Sequence, residues 1–309
     1  MSAQPRILAE GLGFPEGPVV LDDGSVAFVE IAHGRISRCR PDGRVDVIAT
    51  PGGGPNGAAL GPDGALYVCN NGGLEWHRDA DGGLYPHGRP ASYSGGRIER
   101  IDLATGRVER LYDRCGETPL SGPNDLVFDG HGGFWFTDLG ELGTTHVQRG
   151  RVFHARADGS AIRQVVFPML TPNGIGLSPD GRTLYVAETV TARLWAFDVA
   201  APGQLALQVW PHNTPGRLLF ALPHYGLFDS LAVEEGGNIA IATCAMPGLA
   251  GITVVAPTGG LVEQVPMPDR STTNIAFGGA DRRTAFVTLS RTGRLAAVPW
   301  ARPGLATFD

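Results

Sequence analysis

One pattern of polar and apolar positions returns six times along this chain: a polar residue, an apolar run, a tight reversal, then a second apolar run. The copies read FPEGPVVLDDGSVAFVE from Phe14, GPNGAALGPDGALYVCN from Gly54, GPNDLVFDGHGGFWFTD from Gly122, TPNGIGLSPDGRTLYVAET from Thr171, LFDSLAVEEGGNIAIAT from Leu227 and TTNIAFGGADRRTAFVT from Thr272. Short apolar runs flanking a turn signal predict a pair of antiparallel strands in each copy. Glycine follows Asp23, Asp42, Asp63, Asp81, Asp129, Asp158 and Asp180. Asp-Gly is expected to supply the positive φ angles of a type I′ hairpin turn. Further alternating runs at 95–112 and 192–210 read as third and fourth strands. No stretch combines a 3.6-residue period with caps at both ends, so helices are not expected.

One residue holds the equivalent place in each copy: Glu16, Asn56, Asn124, Asn173, Asp229 and Asn274, separated by 40, 68, 49, 56 and 45 residues. Such intervals suit a four-stranded propeller blade. The expectation is an all-β fold, a six-bladed β-propeller of four-stranded antiparallel blades, forming a single domain over 1–309. The RILA segment at 6–9 precedes the first copy and is expected to pair with strands near 294–300, closing the ring and removing two free sheet edges. The longest interval carries an insertion at about 71–96, rich in glycine, aromatics and histidine, which reads as a lid or binding loop of the second blade. Trp76 and Tyr93 within it are candidate substrate contacts, whereas Trp135 and Trp195 lie on strand patterns and read as core.

Composition narrows the functional classes. With 45 Gly, 24 Pro and only 18% charged residues, the chain suits many short strands joined by turns. A net charge of −6 and a pI near 5.7 argue against a nucleic-acid surface. No apolar run approaches the roughly 20 residues of a membrane helix, so no membrane partner is expected. Cys39, Cys69, Cys115 and Cys244 form no C-x-x-C pair and read as reduced thiols of a cytoplasmic protein, a monomer or homodimer.

A residue just before the innermost strand of a blade sits at the mouth of the central channel, so the six equivalent positions converge on the axis. Four are Asn, one Glu and one Asp. Side-chain oxygens arriving from several directions are what a hard divalent cation requires. Asn and Asp also cap turns in any repeat protein, but Glu16 is a poor turn former and all six registers agree. The GGGPNG stretch at 52–57 has the spacing of a dinucleotide loop but leads into a strand and another turn, not a helix. No G-x-S-x-G, P-loop or H-E-x-x-H pattern occurs. Of the eight histidines, His77, His146 and His224 are the ones placed to reach a pocket.

These same phrases carry a resemblance. FPEGPVV, GPNGAALGPDGALYVCNNGG, GPNDLVFDGHGGFWFTD, TPNGIGLSPDGRTLYVAET and TTNIAFGGAD, in this order and spacing, are similar to the SMP-30/gluconolactonase/LRE-like family of six-bladed metal-dependent lactonases. The resemblance implies one divalent cation (Ca²⁺, Mg²⁺, Mn²⁺, Zn²⁺ or Fe²⁺) held by Glu16, Asn173 and Asp229. It further implies Asn124 on the substrate or on a bound water, with Asn56 lining the pocket. The expected activity is opening of a small lactone by Lewis-acid polarisation of its carbonyl and attack of activated water, with Asp229 as general base and Glu16 as second choice. Sugar-acid lactonases of animals commonly carry Arg two residues before the Asn equivalent to Asn124, where this chain has Gly122. Loss of that donor fork points to a different lactone. A calcium-dependent phosphotriesterase or aryl esterase, and a non-catalytic metal-binding propeller, are the alternative readings.

Overall fold

The computed structural model describes residues 4–143, 145–208 and 215–306. The segment 209–214, which includes the end of the 192–210 run and His212, lies outside them. Six antiparallel sheets follow one another around a ring. The first blade shows the plan, with strands Pro15–Val20, Val26–Glu30, Arg35–Cys39 and Val45–Ala49 running from the axis outward. The innermost strands of the other five are Pro55–Leu60, Pro123–Phe128, Pro172–Leu177, Leu227–Val233 and Thr272–Gly278. In the fourth blade the outermost place is shared. Both Gln204–Ala206 and Arg217–Ala221 pair with the long strand Arg193–Ala201.

The ring closes as the sequence leads one to expect. Arg6–Ala9 pairs antiparallel with Arg294–Pro299, Arg6 facing Ala297 and Ile7 facing Ala296, so the last blade is built from both ends of the chain. Second strands are buried on both faces, which is why VAFVE, LYVCN and GFWFTD read as almost unbroken apolar runs. The core lies in wedges between neighbouring blades. Tyr67, Phe128, Phe134, Phe136 and Phe153 fill the wedge between blades two and three, with Tyr67 edge-on to Phe128 at 5.0 Å and Phe136 stacked on Phe153 at 5.0 Å. Trp135 and Trp195 are both buried between blades three and four. Each large apolar side chain buried in this way contributes roughly 1.5–3 kcal/mol against solvent exposure.

The Asp-Gly turns correct the expected type. Only the glycines (φ +76° at Gly24, +86° at Gly43, +74° at Gly64) are left-handed, and none of the seven aspartates is. A type I′ turn needs both central residues there. Instead Gly24 N–H closes onto Leu21 C=O at 2.9 Å, a type I turn followed by a left-handed glycine. Asp23 Oδ1 accepts the N–H of Ser25 at 2.9 Å, and the other aspartates accept from the same place two residues on. Aspartate therefore works through its side chain, at an ordinary backbone angle.

Candidate active site at the hub of the ring

Each innermost strand carries an irregularity at the repeated polar position. Ladder pairing slips between Glu16 and Val19, Pro55 and Ala58, Pro123 and Leu126, Pro172 and Ile175, Phe228 and Leu231, and Thr272 and Asn274. A bulge bends the strand and re-aims a side chain that would otherwise face a neighbouring blade. The residue after the polar one decides how closely the strands approach the axis. A Cβ on Gly57 would lie 2.4 Å from the Asn124 carbonyl oxygen, and one on Gly174 would lie 2.6 Å from the Leu231 nitrogen. Glycine after Asn in the repeat thus serves close backbone approach at these positions.

Glu16, Asn56, Asn124, Asn173 and Asp229 all line one cavity of about 550 Å³ at the mouth of the channel. Asn274, the sixth position, donates from Nδ2 to Glu16 Oε2 at 2.7 Å, and Gly17 N–H donates to the same oxygen at 2.7 Å. Glu16 Oε1 is buried without a hydrogen-bond partner, and so is Asn124 Oδ1. Asn173 donates from Nδ2 to Thr189 Oγ1 at 3.1 Å. Asp229 is less enclosed than its neighbours, and its Oδ2 receives the Cys244 thiol at 3.6 Å.

Burial pushes the Glu16 carboxyl up, opposed by its bonds from Asn274, Thr273 and Gly17. Burial also raises Asp229 well above the usual carboxylate range; Glu16 repels its charge, while the Asn173 amide and Cys244 thiol act the other way. Asp125 was not singled out in the sequence. Burial and then Glu16 push it to about 8. Its signal was present, since GPND has aspartate where GPNG and TPNG have glycine. None of the three carboxylates is drawn down by a basic group. Among the described residues no three His, Cys, Asp and Glu side chains form a metal-binding group, so a cation here needs amide oxygens as well. The donor chemistry fits one. The carboxylates of Glu16 and Asp229, neither with a positive partner, and the unpartnered amide oxygen of Asn124 form an oxygen-only set suited to a hard divalent ion.

A second polar position, at the end of the second strand in blades two, three and four, fastens the backbone that leads to the hub. Asp138 accepts the N–H groups of Ser121 at 2.7 Å and Gly122 at 2.8 Å; Asn70 receives Gly54 N–H and Glu188 receives Leu170 N–H. Part of the cavity wall comes from the 71–96 insertion and from the segment that follows the second strand of blade three. Leu74, Tyr85, Pro86, Gly88 and Arg89 of the 71–96 segment face Leu139, Gly140, Glu141 and Leu142 of blade three. Arg89 Nη1 pairs with Glu141 at 2.8 Å, and the insertion's hairpin is tied to blade six by Arg291, which bonds Asp79 at 2.6 Å and also Asp81. Trp76 packs on Phe14 at 5.0 Å, and Tyr93 donates to the Ser121 carbonyl at 2.6 Å; neither lines the cavity. His77, His146 and His224 do not line it either, although His146 approaches Glu141 at 3.4 Å. Cys244 does, as a free thiol that burial raises well above its usual value.

A six-bladed ring with oxygen donors converging on one cavity defines a propeller with a hub site. The chain belongs to the SMP-30/gluconolactonase/LRE-like family, whose sequence profile matches residues 14–291. It is similar to a gluconolactonase of Zymomonas mobilis, 25% identical over 316 aligned residues covering 94% of this chain and 80% of that one. It is also similar to the diisopropyl-fluorophosphatase of Loligo vulgaris, 31% identical over 60% of this chain and 59% of the relative. A solved gluconolactonase structure from Xanthomonas campestris superposes with a TM-score of 0.73 at 25% identity, over 98% of this chain and 97% of that one.

Proposed function

We propose that this protein is a divalent-cation-dependent hydrolase that opens a small lactone ring. The observation carrying this reading is Glu16 Oε1, a buried carboxylate oxygen with no hydrogen-bond partner at the floor of a cavity shared with Asp229. Glu16, Asn173 and Asp229 are the residues that would hold the cation, with Asn124 and Asn56 turned to the substrate. When bound, such an ion supplies Lewis acidity toward a carbonyl oxygen. Asp229 takes a proton from the water whose oxygen attacks the carbonyl carbon. As the ring C–O bond breaks, that proton passes to the departing ring oxygen, leaving a hydroxy acid. Glu16 is the alternative proton acceptor. Asn124, whose Oδ1 has no protein partner, orients the substrate.

Similarity to gluconolactonases supports this choice of bond. Similarity to a diisopropyl-fluorophosphatase favours a second reading, in which the same donors serve a phosphoryl centre. The four cysteines are free, which supports a cytoplasmic location as part of this reading. The test is a proton-release assay over a lactone panel and a fluorophosphate, on protein stripped of metal and restored with one cation at a time. Cation-dependent lactone opening supports the first reading. Fluoride release alone selects the second, and saturable cation binding with no turnover leaves a binding protein.

A further inference from the structure

We propose that the lactone taken here carries an apolar arm, alkyl or aryl, that leaves the hub along the cavity wall, in place of a ring studded with hydroxyls. This rests on the hydrolase reading above. Away from the hub the wall is built from Phe14, Ile31, Leu74, Leu139 and Leu227. At the mouth it continues onto Tyr225, Met246 and Leu142, which are 80%, 60% and 47% exposed. A single exposed apolar side chain means little, but three on the rim of one apolar cavity extend its surface outward. At about 550 Å³ the cavity lies within the roughly 300–1,000 Å³ of sites that enclose drug-sized ligands.

Several polar groups of the wall point the same way, because they are already committed to other protein groups. Arg89 pairs with Glu141, donates to the Ser121 carbonyl at 3.0 Å and to its hydroxyl, and lies over the Tyr93 ring at 4.2 Å. Ser121 Oγ in turn donates to Gln148 at 2.7 Å, and Asn71 Oδ1 accepts Gly73 N–H at 3.0 Å. Gly122 cannot readily be replaced by a polar side chain, since a Cβ there would lie 2.7 Å from the Gly140 carbonyl oxygen. On the side of the wall formed by Arg89, Ser121 and Glu141, a polyhydroxylated ligand would have to break these pairs to gain hydrogen bonds of its own. Arg270, exposed on the margin with no ion pair among the described residues, the Ser271 hydroxyl beside it and the amide nitrogens of Asn56 and Asn71 are not committed in this way.

The experiment measures kcat/KM of the cation-loaded protein for glucono-δ-lactone, unsubstituted δ-valerolactone and δ-decalactone, whose pentyl arm is the probe. Full burial of one methylene is worth roughly a fourfold gain. With partial burial, δ-decalactone should exceed δ-valerolactone by about tenfold or more, with glucono-δ-lactone lowest. The Tyr225→Ser, Met246→Ser double variant should reduce the δ-decalactone to δ-valerolactone ratio by about fivefold. Glucono-δ-lactone equal to or better than δ-decalactone overturns the inference and leaves the hydrolase reading standing, as does a ratio unmoved by the variant. Turnover of none of the three removes both.

Discussion

Glu16 and Asn274 are 258 residues apart in sequence, yet Asn274 Nδ2 donates to Glu16 Oε2 at 2.7 Å across the seam where the last blade meets the first. The bond fixes one carboxylate oxygen and leaves the other, Oε1, without a partner. Closing the ring and shaping the hub are therefore linked. The strand pairing that brings blade six beside blade one also orients the carboxylate.

The hub carboxylates make the metal-free protein sensitive to alkali. Asp125 stands at about 8 when folded and, with Glu16 and Asp229, above an unfolded value of roughly 4. Between about pH 4 and pH 8 the folded protein keeps protons that the unfolded chain has released. This contribution is fully present below the unfolded pKa and is lost as pH rises through the folded one. Chelator-treated protein should lose stability, on the order of a few kcal/mol, between pH 5 and pH 8.5 in urea titrations. Saturating divalent cation should restore it at the alkaline end. Asp125→Asn should flatten the metal-free profile, and an unchanged slope in that variant would show that Asp125 does not carry the effect.

Cation affinity should follow the hub donors in a graded way. Glu16→Gln and Asp229→Asn each remove a charged oxygen donor, and calorimetry should show affinity falling more than about a hundredfold, beyond what outer-sphere changes cause. Asn274→Ala removes one of the donors that orient Glu16 and no cation ligand, so a loss of roughly 10–100-fold is expected. Circular dichroism should show all three folded. Affinity unaltered in Glu16→Gln would exclude Glu16 from the centre.

Gly57 and Gly174 are predicted to tolerate no side chain. A Cβ at Gly57 meets the backbone oxygen of Asn124, and one at Gly174 meets the backbone of Ser230 and Leu231, so the clash cannot be relieved by a rotamer change. Gly57→Ala and Gly174→Ala should each cost roughly 1–3 kcal/mol in urea unfolding, the usual range for overpacking. Gly181→Ala, with nothing within 4 Å of the added atom but φ at +67°, isolates the backbone contribution and should cost less. Equal losses at all three sites would show that backbone angle, not close approach, governs these glycines.

Much of this was legible in the sequence because the repeat encodes it locally. The six inner strands, their outward order and the closing pair at Arg6–Ala9 follow from alternation and spacing. Glu16, Asn56, Asn124, Asn173 and Asp229 share a cavity because equivalent positions in a ring face one axis. Less legible was anything set by contacts between copies. Asp125 gains its meaning only when Gly57 of the preceding blade is seen against it. Arg89 sits in the 71–96 insertion and Glu141 in the segment after the second strand of blade three, outside the repeated phrase, so their pairing across the cavity had no local signal. Each Asp-Gly marked a turn but not its type, because the aspartate side chain replaces a backbone angle with a hydrogen bond.

The terminal strand supplies the last prediction. Arg6–Ala9 covers the edge of Arg294–Pro299, with Ala9 buried and Ile7 packed beside Val298 and Trp300. Removing residues 1–9 would expose an edge whose N–H and C=O groups template pairing with another chain. It would also uncover the apolar surface beneath Ile7 and Ala9. The truncated protein should unfold at lower urea, by roughly 2–4 kcal/mol for the buried side chains lost. It should also form dimers or larger species by light scattering at concentrations where the full chain does not. Ile7→Asp, which keeps the strand's backbone but disrupts its packing, should lose stability with less association, because the edge stays covered. If the truncation proved as stable and as dispersed as the full chain, the ring would be held by its inner strands alone and the terminal pairing would contribute little to closure.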